Sequence, residues 1–190
     1  MFPLFNCLIV DLLLIFILNY KKVGNEKKYI LSKEIANKKL RRIALELLER
    51  NYHEPQLVLV GIKENGMVIA AIIADCLKNS FKGEVILTAL TIDKKQPAAI
   101  TIEPAIDFNN KVVLLIDDVA NSGRTMLYSL KPLLNTYPKK IQTAALVERT
   151  HKSYPIALDY VGLSISTTLN EHIFVEVNEG EVLGAWMEVR

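Results

Sequence analysis

The sequence is short of the residues that build a disulfide-stapled or zinc-held domain. Its two cysteines, Cys7 and Cys76, stand far apart and form no C-x-x-C pair, so neither a disulfide framework nor a zinc set is encoded. A reducing compartment suits such a chain. Histidine occurs three times: His53 and His172 read as surface residues, and His151 as either a turn residue or a contact at the mouth of a site. There is no G-x-G-x-x-G, which disfavours a dinucleotide-binding fold, and no G-x-x-x-x-G-K-[ST], which excludes a P-loop. Internal repeats and low-complexity tracts are missing too, and no linker divides residues 26–190. Disorder is excluded by composition, because 51% of the 190 residues are hydrophobic and 23% charged. One domain with an appendage is expected.

The appendage is residues 1–25. Fourteen of the seventeen residues at 2–18 (FPLFNCLIVDLLLIFIL) are apolar, yet no Lys or Arg precedes the run and no small-residue cleavage site follows it, so a secretory signal is disfavoured. Apolar residues at about −0.3 to −0.6 kcal/mol each can offset the roughly +2.5 to +3.5 kcal/mol of a central Asp11, which makes a weak membrane anchor physically feasible. An extension foreign to the native product and a packed N-terminal helix stand beside that reading. Lys21, Lys22, Lys27 and Lys28 follow the run, so the positive-inside rule leaves the remainder in the cytoplasm. The overall net charge is only +2, but nine Lys and Arg face two Glu over residues 21–42. Such a stretch suits RNA or an anionic membrane surface, and equally the solvated face of a helix.

From Ser32 onward the pattern alternates. Ser32 with Glu34 marks a helix start, and Ala36, Leu40, Ile43, Ala44, Leu47 and Leu48 repeat at helical spacing to about Asn51. The apolar run at 56–62 (QLVLVGI) predicts a buried strand. A turn at Lys63-Glu64-Asn65-Gly66 and a helix over about 67–79 follow. Strands are predicted near 84–92, 99–103, 111–117 and 141–148, with a helix over 124–135 between the last two. This alternation indicates βαβ units and a parallel sheet. Strand-like segments at 173–177 and 184–189 fall outside the pattern and predict a small cap.

The chemistry concentrates at 112–125, VVLLIDDVANSGRT. A strand end of this kind lies at the edge where open α/β sheets bind ligands. Backbone N–H groups from Asn121 to Thr125 entering a helix form a concave site with partial positive charge, suited to a phosphate. Gly123 allows close backbone approach, and the hydroxyls of Ser122 and Thr125 add donors. Asp117 and Asp118 would repel that phosphate; as acceptor-only groups they suit sugar hydroxyls or a hydrated Mg²⁺. Phosphate on one side and diol on the other describes ribose 5-phosphate. The plainer alternative is that Asp118 or Ser122 only caps a helix.

VVLLIDDVANSGRT resembles the phosphoribosyl pyrophosphate signature of type I phosphoribosyltransferases: an apolar strand, two acids, three variable residues, then Ser or Thr, Gly, any residue and Thr. LVGIKENG at 59–66, LVERTHKSYPIALDYVG at 146–162 and STTLNE at 166–171 extend the resemblance to the branch of pyrimidine operon attenuators that double as uracil phosphoribosyltransferases. The resemblance covers about Tyr29 to Trp186. It implies an α/β, parallel-sheet type I phosphoribosyltransferase fold with a small C-terminal hood over residues 26–190. It assigns Asp117 and Asp118 to the ribose hydroxyls and Mg²⁺, and Ala120, Asn121, Ser122, Gly123, Arg124 and Thr125 to the 5-phosphate. Lys63, Glu64, Asn65 and Gly66 are assigned to the pyrophosphate, with a cis peptide at Ile62–Lys63. STTLNE falls where the hood covers the base.

The implied activity is Mg²⁺-dependent transfer of ribose 5-phosphate from phosphoribosyl pyrophosphate to a nucleobase, uracil preferred. The alternative is an RNA-binding regulator that senses phosphoribosyl pyrophosphate or a nucleotide and turns over little. A homo-oligomer is expected in either case. Three departures bear on the choice. Asn65 stands where the branch usually has arginine. The segment at 91–99, expected to close over the site, is short and offers Lys94 and Lys95. Asn121 replaces the aspartate that purine enzymes of this class place against the ring.

Overall fold

A computed structural model of the chain describes residues 27–93 and 99–189. The expectations placed on residues 1–25, including any membrane contact, and on Lys94 and Lys95 lie outside the described residues. Among the described residues no helix is long and apolar enough to cross a membrane.

The chain runs β1 (Lys28–Ser32), α1 (Lys33–Asn51), β2 (Gln56–Ile62), α2 (Lys63–Leu77), β3 (Glu84–Ile92), β4 (Ile100–Glu103), β5 (Val112–Ala120), α3 (Arg124–Ser129), a 3-10 turn (Leu133–Asn135), β6 (Lys140–Arg149), β7 (Tyr160–Ile165), β8 (Glu171–Asn178) and β9 (Glu181–Val189). Six strands form one sheet in the order β4-β3-β2-β5-β6-β7. All its pairings are parallel except that of β4, which closes the edge antiparallel to β3.

The apolar runs of β2 and β5 are buried on both faces, and their alternation divides the core. Leu57, Leu59, Val112, Leu114 and Ile116 pack under α1 and α2, while Val58, Val60, Ile62, Val113 and Leu115 pack on the other face with Met126 and Leu133. At about 1.5–3 kcal/mol for each fully buried aliphatic side chain, these two strands anchor the domain. Helix α1 begins where Ser32 Oγ accepts the N–H of Ile35 at 3.3 Å, and its buried stripe is Ala36, Leu40, Ile43, Ala44 and Leu47.

The hood is a separate antiparallel sheet in the order β1-β9-β8. It is fastened to the α1 side of the core by Leu31, Ile173, Val175, Val182 and Ala185. Strand β1 is not legible in the sequence, and neither is β7. The C-terminal strands match the expected cap, and the fold class is as expected. Helix α2 differs from expectation: it starts at Lys63. Lys63 to Gly66 therefore form its first turn and not a preceding loop. The predicted helix over 124–135 is broken after Ser129 and resumes as the 3-10 turn.

Candidate active site

Strands β2, β3 and β5 end at one edge of the parallel sheet, the N-terminus of α2 and the loop after β5 rise beside them, and β8 of the hood leans over. Together they enclose a cleft of about 960 Å³. Lys63, Glu64, Asn65, Asp117, Asp118 and every residue from Ala120 to Thr125 line it, so all but one of the residues assigned from the sequence to the phosphates, the ribose and Mg²⁺ meet in one place. The exception is Gly66, which is buried within the first turn of α2, against β5.

The loop after β5 is shaped from behind. The carbonyl of Ser122 accepts the N–H groups of Ser153 and Tyr154, each at 3.0 Å, and the N–H of Arg124 points to Ser122 Oγ at 3.4 Å. Gly123 caps α3 in the left-handed region at φ 83°. The carbonyl of Ser122 is held by the 153–154 segment, and the loop's residues line the cleft at the start of α3, a setting in which backbone N–H groups suit a phosphate. A Cβ at Gly123 would lie 2.5 Å from Ile156 Cγ2. Gly123→Val adds a β-branched side chain at a φ that such residues rarely adopt. We expect it to weaken ribose 5-phosphate binding about 100-fold or more, the equivalent of two hydrogen bonds to a charged group. Calorimetric titration checks this, and unchanged affinity would remove the loop from the site.

Across the cleft the two acids are held in fixed orientations. Asp117 Oδ1 accepts the N–H of Asp118 at 3.0 Å, and Asp118 Oδ1 accepts that of Val119 at 2.8 Å. Asp118 Oδ2 accepts from Asn65 Nδ2 at 2.8 Å, and the same nitrogen donates to the carbonyl of Val175 on β8 at 3.3 Å. Asn65 thus joins the start of α2, the acid pair and the hood. Among the described residues no group of three or more His, Cys, Asp or Glu could cage a metal. Two carboxylates at a strand end suit a hydrated Mg²⁺ that shares its shell with a ligand's oxygens.

At the other end of α2's first turn, Lys63 takes φ 58°, a left-handed conformation that costs a non-glycine residue on the order of 1–3 kcal/mol and concentrates at ligand clamps. The sole cis peptide among the described residues is Glu103–Pro104, so the cis bond expected at Ile62–Lys63 is not present. The irregular backbone falls on Lys63 itself.

The hood side of the cleft differs from expectation. Ser166, Thr167, Thr168 and Asn170 do not line the cleft; His172, Ile173, Phe174 and Val175 do. The STTLNE segment is instead a turn braced by Arg149, which donates to Thr167 Oγ1 and to the carbonyl of Thr168. Glu171 accepts the N–H of Thr168 at 2.6 Å, and that bond draws the Glu171 carboxyl below its usual range. Its support of the turn is therefore complete above the ordinary glutamate pKa and lost only as pH falls through the lowered one. His172 is exposed, as its surface assignment holds, but it also lies on the cleft wall. Phe174 stacks on Trp186 with centroids 4.5 Å apart, and Lys27 sits 4.5 Å over the Trp186 ring. The alternation of HIFVEV was visible in sequence, but not the face the cleft would use.

The family model described as phosphoribosyl transferase domain matches residues 28–179. The chain belongs to that family. Within it, the chain is 38% identical over 152 residues to the bifunctional protein PyrR of Ligilactobacillus salivarius, covering 74% of this chain and 85% of that protein. It is 38% identical over 164 residues to the bifunctional protein PyrR of Staphylococcus epidermidis, covering 80% and 93%. These relatives place it with the attenuator branch that its motifs resemble. Among solved structures, a hypoxanthine-guanine phosphoribosyltransferase from Bacillus anthracis superposes with a TM-score of 0.67 at 16% identity, over 88% of this chain and 99% of that one. The hypoxanthine phosphoribosyltransferase of Trypanosoma cruzi gives 0.68 at 14% identity, over 86% and 97%. At such identities the likeness speaks for the phosphoribosyltransferase fold alone.

Proposed function

We propose that the chain is an RNA-binding pyrimidine attenuation regulator that senses phosphoribosyl pyrophosphate or a nucleotide in this cleft, acting as a homo-oligomer, with transfer of ribose 5-phosphate to uracil as a minor activity. The observation that carries the reading is that one cleft is lined by both the loop Ala120–Thr125 and the acid pair Asp117 and Asp118, which suit the phosphate and the diol of one sugar. Relatives bearing the name bifunctional protein PyrR support two roles on one chain. The balance between the roles follows from Asn65, which brings no positive charge to the end where a diphosphate would leave.

Positioning and charge neutralisation are what a transfer at the anomeric carbon asks of a protein. Lys63 and the first turn of α2 would meet the leaving group, and the acid pair would hold the diol. Asp117 and Asp118 would hold Mg²⁺, which when bound would supply positive charge against the diphosphate. For RNA, the exposed Lys38 and Arg41 on α1 supply a basic face, beside Arg42, which is paired with Glu46 and donates to the carbonyl of Val161.

The test measures binding of a pyrimidine-operon leader RNA and of a scrambled RNA of equal length at two salt concentrations, with and without uridine 5′-monophosphate, beside turnover of labelled phosphoribosyl pyrophosphate with uracil. The expected result is leader-selective binding that weakens with salt and tightens with nucleotide, together with slow turnover. Fast turnover with RNA affinity indifferent to nucleotide would establish the enzyme reading instead.

A further inference from the structure

Parallel strands are usually joined through a helix, but β6 and β7 are joined by residues 150–159 with neither helix nor strand between them. The backbone polar groups of this segment must therefore find partners elsewhere. Two of its N–H groups, those of Ser153 and Tyr154, go to the carbonyl of Ser122 at 3.0 Å each. Ile156 lies so close to the next residue, Gly123, that no Cβ fits there. Tyr154 meets Tyr128 of α3 edge to face, with centroids 6.4 Å apart. The segment is thus pressed against the back of the loop after β5, and among the described residues that line the cleft none comes from it.

Both ends of the segment are tied to the sheet. Lys152 pairs with Glu148 of β6 at 3.1 Å, with both side chains largely covered. At the other end Asp159 Oδ2 accepts the N–H of Thr143 at 2.8 Å, and the N–H of Asp159 returns to the carbonyl of Thr143 at 3.0 Å. Thr143 Oγ1 donates to the carbonyl of Ala157 at 3.1 Å. Thr143 is buried in β6 opposite Leu115 of β5, so the Asp159 tie is made to the centre of the sheet.

A trans peptide points its C=O and its N–H to opposite sides. The Ser122–Gly123 bond is trans, since Glu103–Pro104 is the sole cis peptide among the described residues. With the Ser122 carbonyl turned to Ser153 and Tyr154, the N–H of Gly123 points away from that segment. We propose that Asp159 is a positioning residue for phosphate recognition: by latching residues 150–159 to Thr143 it keeps the Ser122 carbonyl turned outward and the Gly123 N–H turned to the cleft, as a donor to the phosphate. The inference rests on the phosphoribosyl reading given above. Asp159 does not line the cleft and acts only through the loop. Released from the latch, the peptide is free to turn its carbonyl inward, where an acceptor repels phosphate oxygens.

The probe is ribose 5-phosphate, titrated by calorimetry into the full chain as wild type, Asp159→Ala and Asp159→Asn, at a temperature where circular dichroism shows each to be fully folded. The Gly123 amide is followed in parallel by heteronuclear NMR. In wild type, saturation with ribose 5-phosphate should move the Gly123 amide proton downfield, the mark of a donor to a charged acceptor. Asp159→Ala should bind about 10-fold more weakly, the equivalent of one hydrogen bond to a charged group, and lose most of that response. Asp159→Asn keeps an acceptor for the Thr143 N–H and should stay within about 3-fold of wild type. A residue that serves stability alone would lower the melting midpoint and leave the affinity and the Gly123 response of the folded protein unchanged, and that outcome overturns the proposal. So does a wild-type Gly123 amide that ribose 5-phosphate does not move. Should Asp159→Ala fail to fold, Asp159→Glu takes its place, since it keeps the charge but displaces the acceptor by one methylene. If wild type binds no ribose 5-phosphate, the phosphoribosyl reading falls and the inference with it, whereas binding that Asp159→Ala leaves untouched overturns the inference only.

Discussion

Gly66→Ala is expected to lower the thermal midpoint by about 2–12 °C and to weaken ligand binding at the same time. Gly66 lies in the first turn of α2, where the helix crosses the end of β5. A Cβ there would lie 2.6 Å from the carbonyl oxygen of Ile116 and 3.4 Å from Asp117 Cα. Neither atom can yield cheaply, because Ile116 sits in the middle of the parallel sheet, in register with Gly61 on β2 and Ala144 on β6. Overpacking of this sort costs about 1–3 kcal/mol, and 1 kcal/mol corresponds to roughly 2–4 °C in a domain of this size. The added methyl also pushes Lys63 to Asn65 away from Asp118, which couples the stability loss to the site. A circular dichroism melt and a ribose 5-phosphate titration measure the two effects. An unshifted midpoint would mean that α2 does not start where it is placed here.

The double change Asp117→Asn with Asp118→Asn should leave the fold largely intact and reduce ribose 5-phosphate affinity by about 100-fold, the worth of two hydrogen bonds to charged groups. An amide oxygen at 118 can still accept from Val119 N–H or from Asn65, so the local bonds that fix the strand end survive in part. What disappears is negative charge, and with it the pull on the sugar hydroxyls and on Mg²⁺. The Mg²⁺ dependence of binding should therefore flatten along with the affinity. Equal affinity and equal Mg²⁺ dependence in the variant would show that the pair only finishes β5.

The sequence made the central sheet and the loop after β5 legible because both are local. β2 and β5 are unbroken apolar runs with their turn chemistry beside them, and the strand, acid pair and loop are contiguous over 112–125. The hood was harder, since β1 pairs with β9 between residues as far apart as Lys28 and Met187. Nothing within KYILS announces a partner that distant. Tyr160–Ile165 escaped for a related reason: Gly162 interrupts a short run, and only pairing with β6 makes it a strand. The first turn of α2 read as a loop because Lys-Glu-Asn-Gly has the composition of a turn; the packing of Gly66 on β5 winds it into the helix. The resemblance assigns STTLNE to the base, yet Arg149, 18 residues from Thr167 in sequence, draws it into a turn, and β8 lines the cleft in its place. The two hydrogen bonds that Asn65 donates, to Asp118 and to the carbonyl of Val175, join three distant segments and have no sequence signature.

The most direct measurement of the central claim is a calorimetric titration of the full chain with uridine 5′-monophosphate and, separately, with uridine, each in the presence and absence of phosphoribosyl pyrophosphate. Binding of the nucleotide but not the nucleoside, with competition from phosphoribosyl pyrophosphate, is the predicted result. Equal binding of nucleotide and nucleoside, or no competition between the two phosphorylated ligands, would contradict a phosphoribosyl site built from Ala120–Thr125 and the Asp117–Asp118 pair.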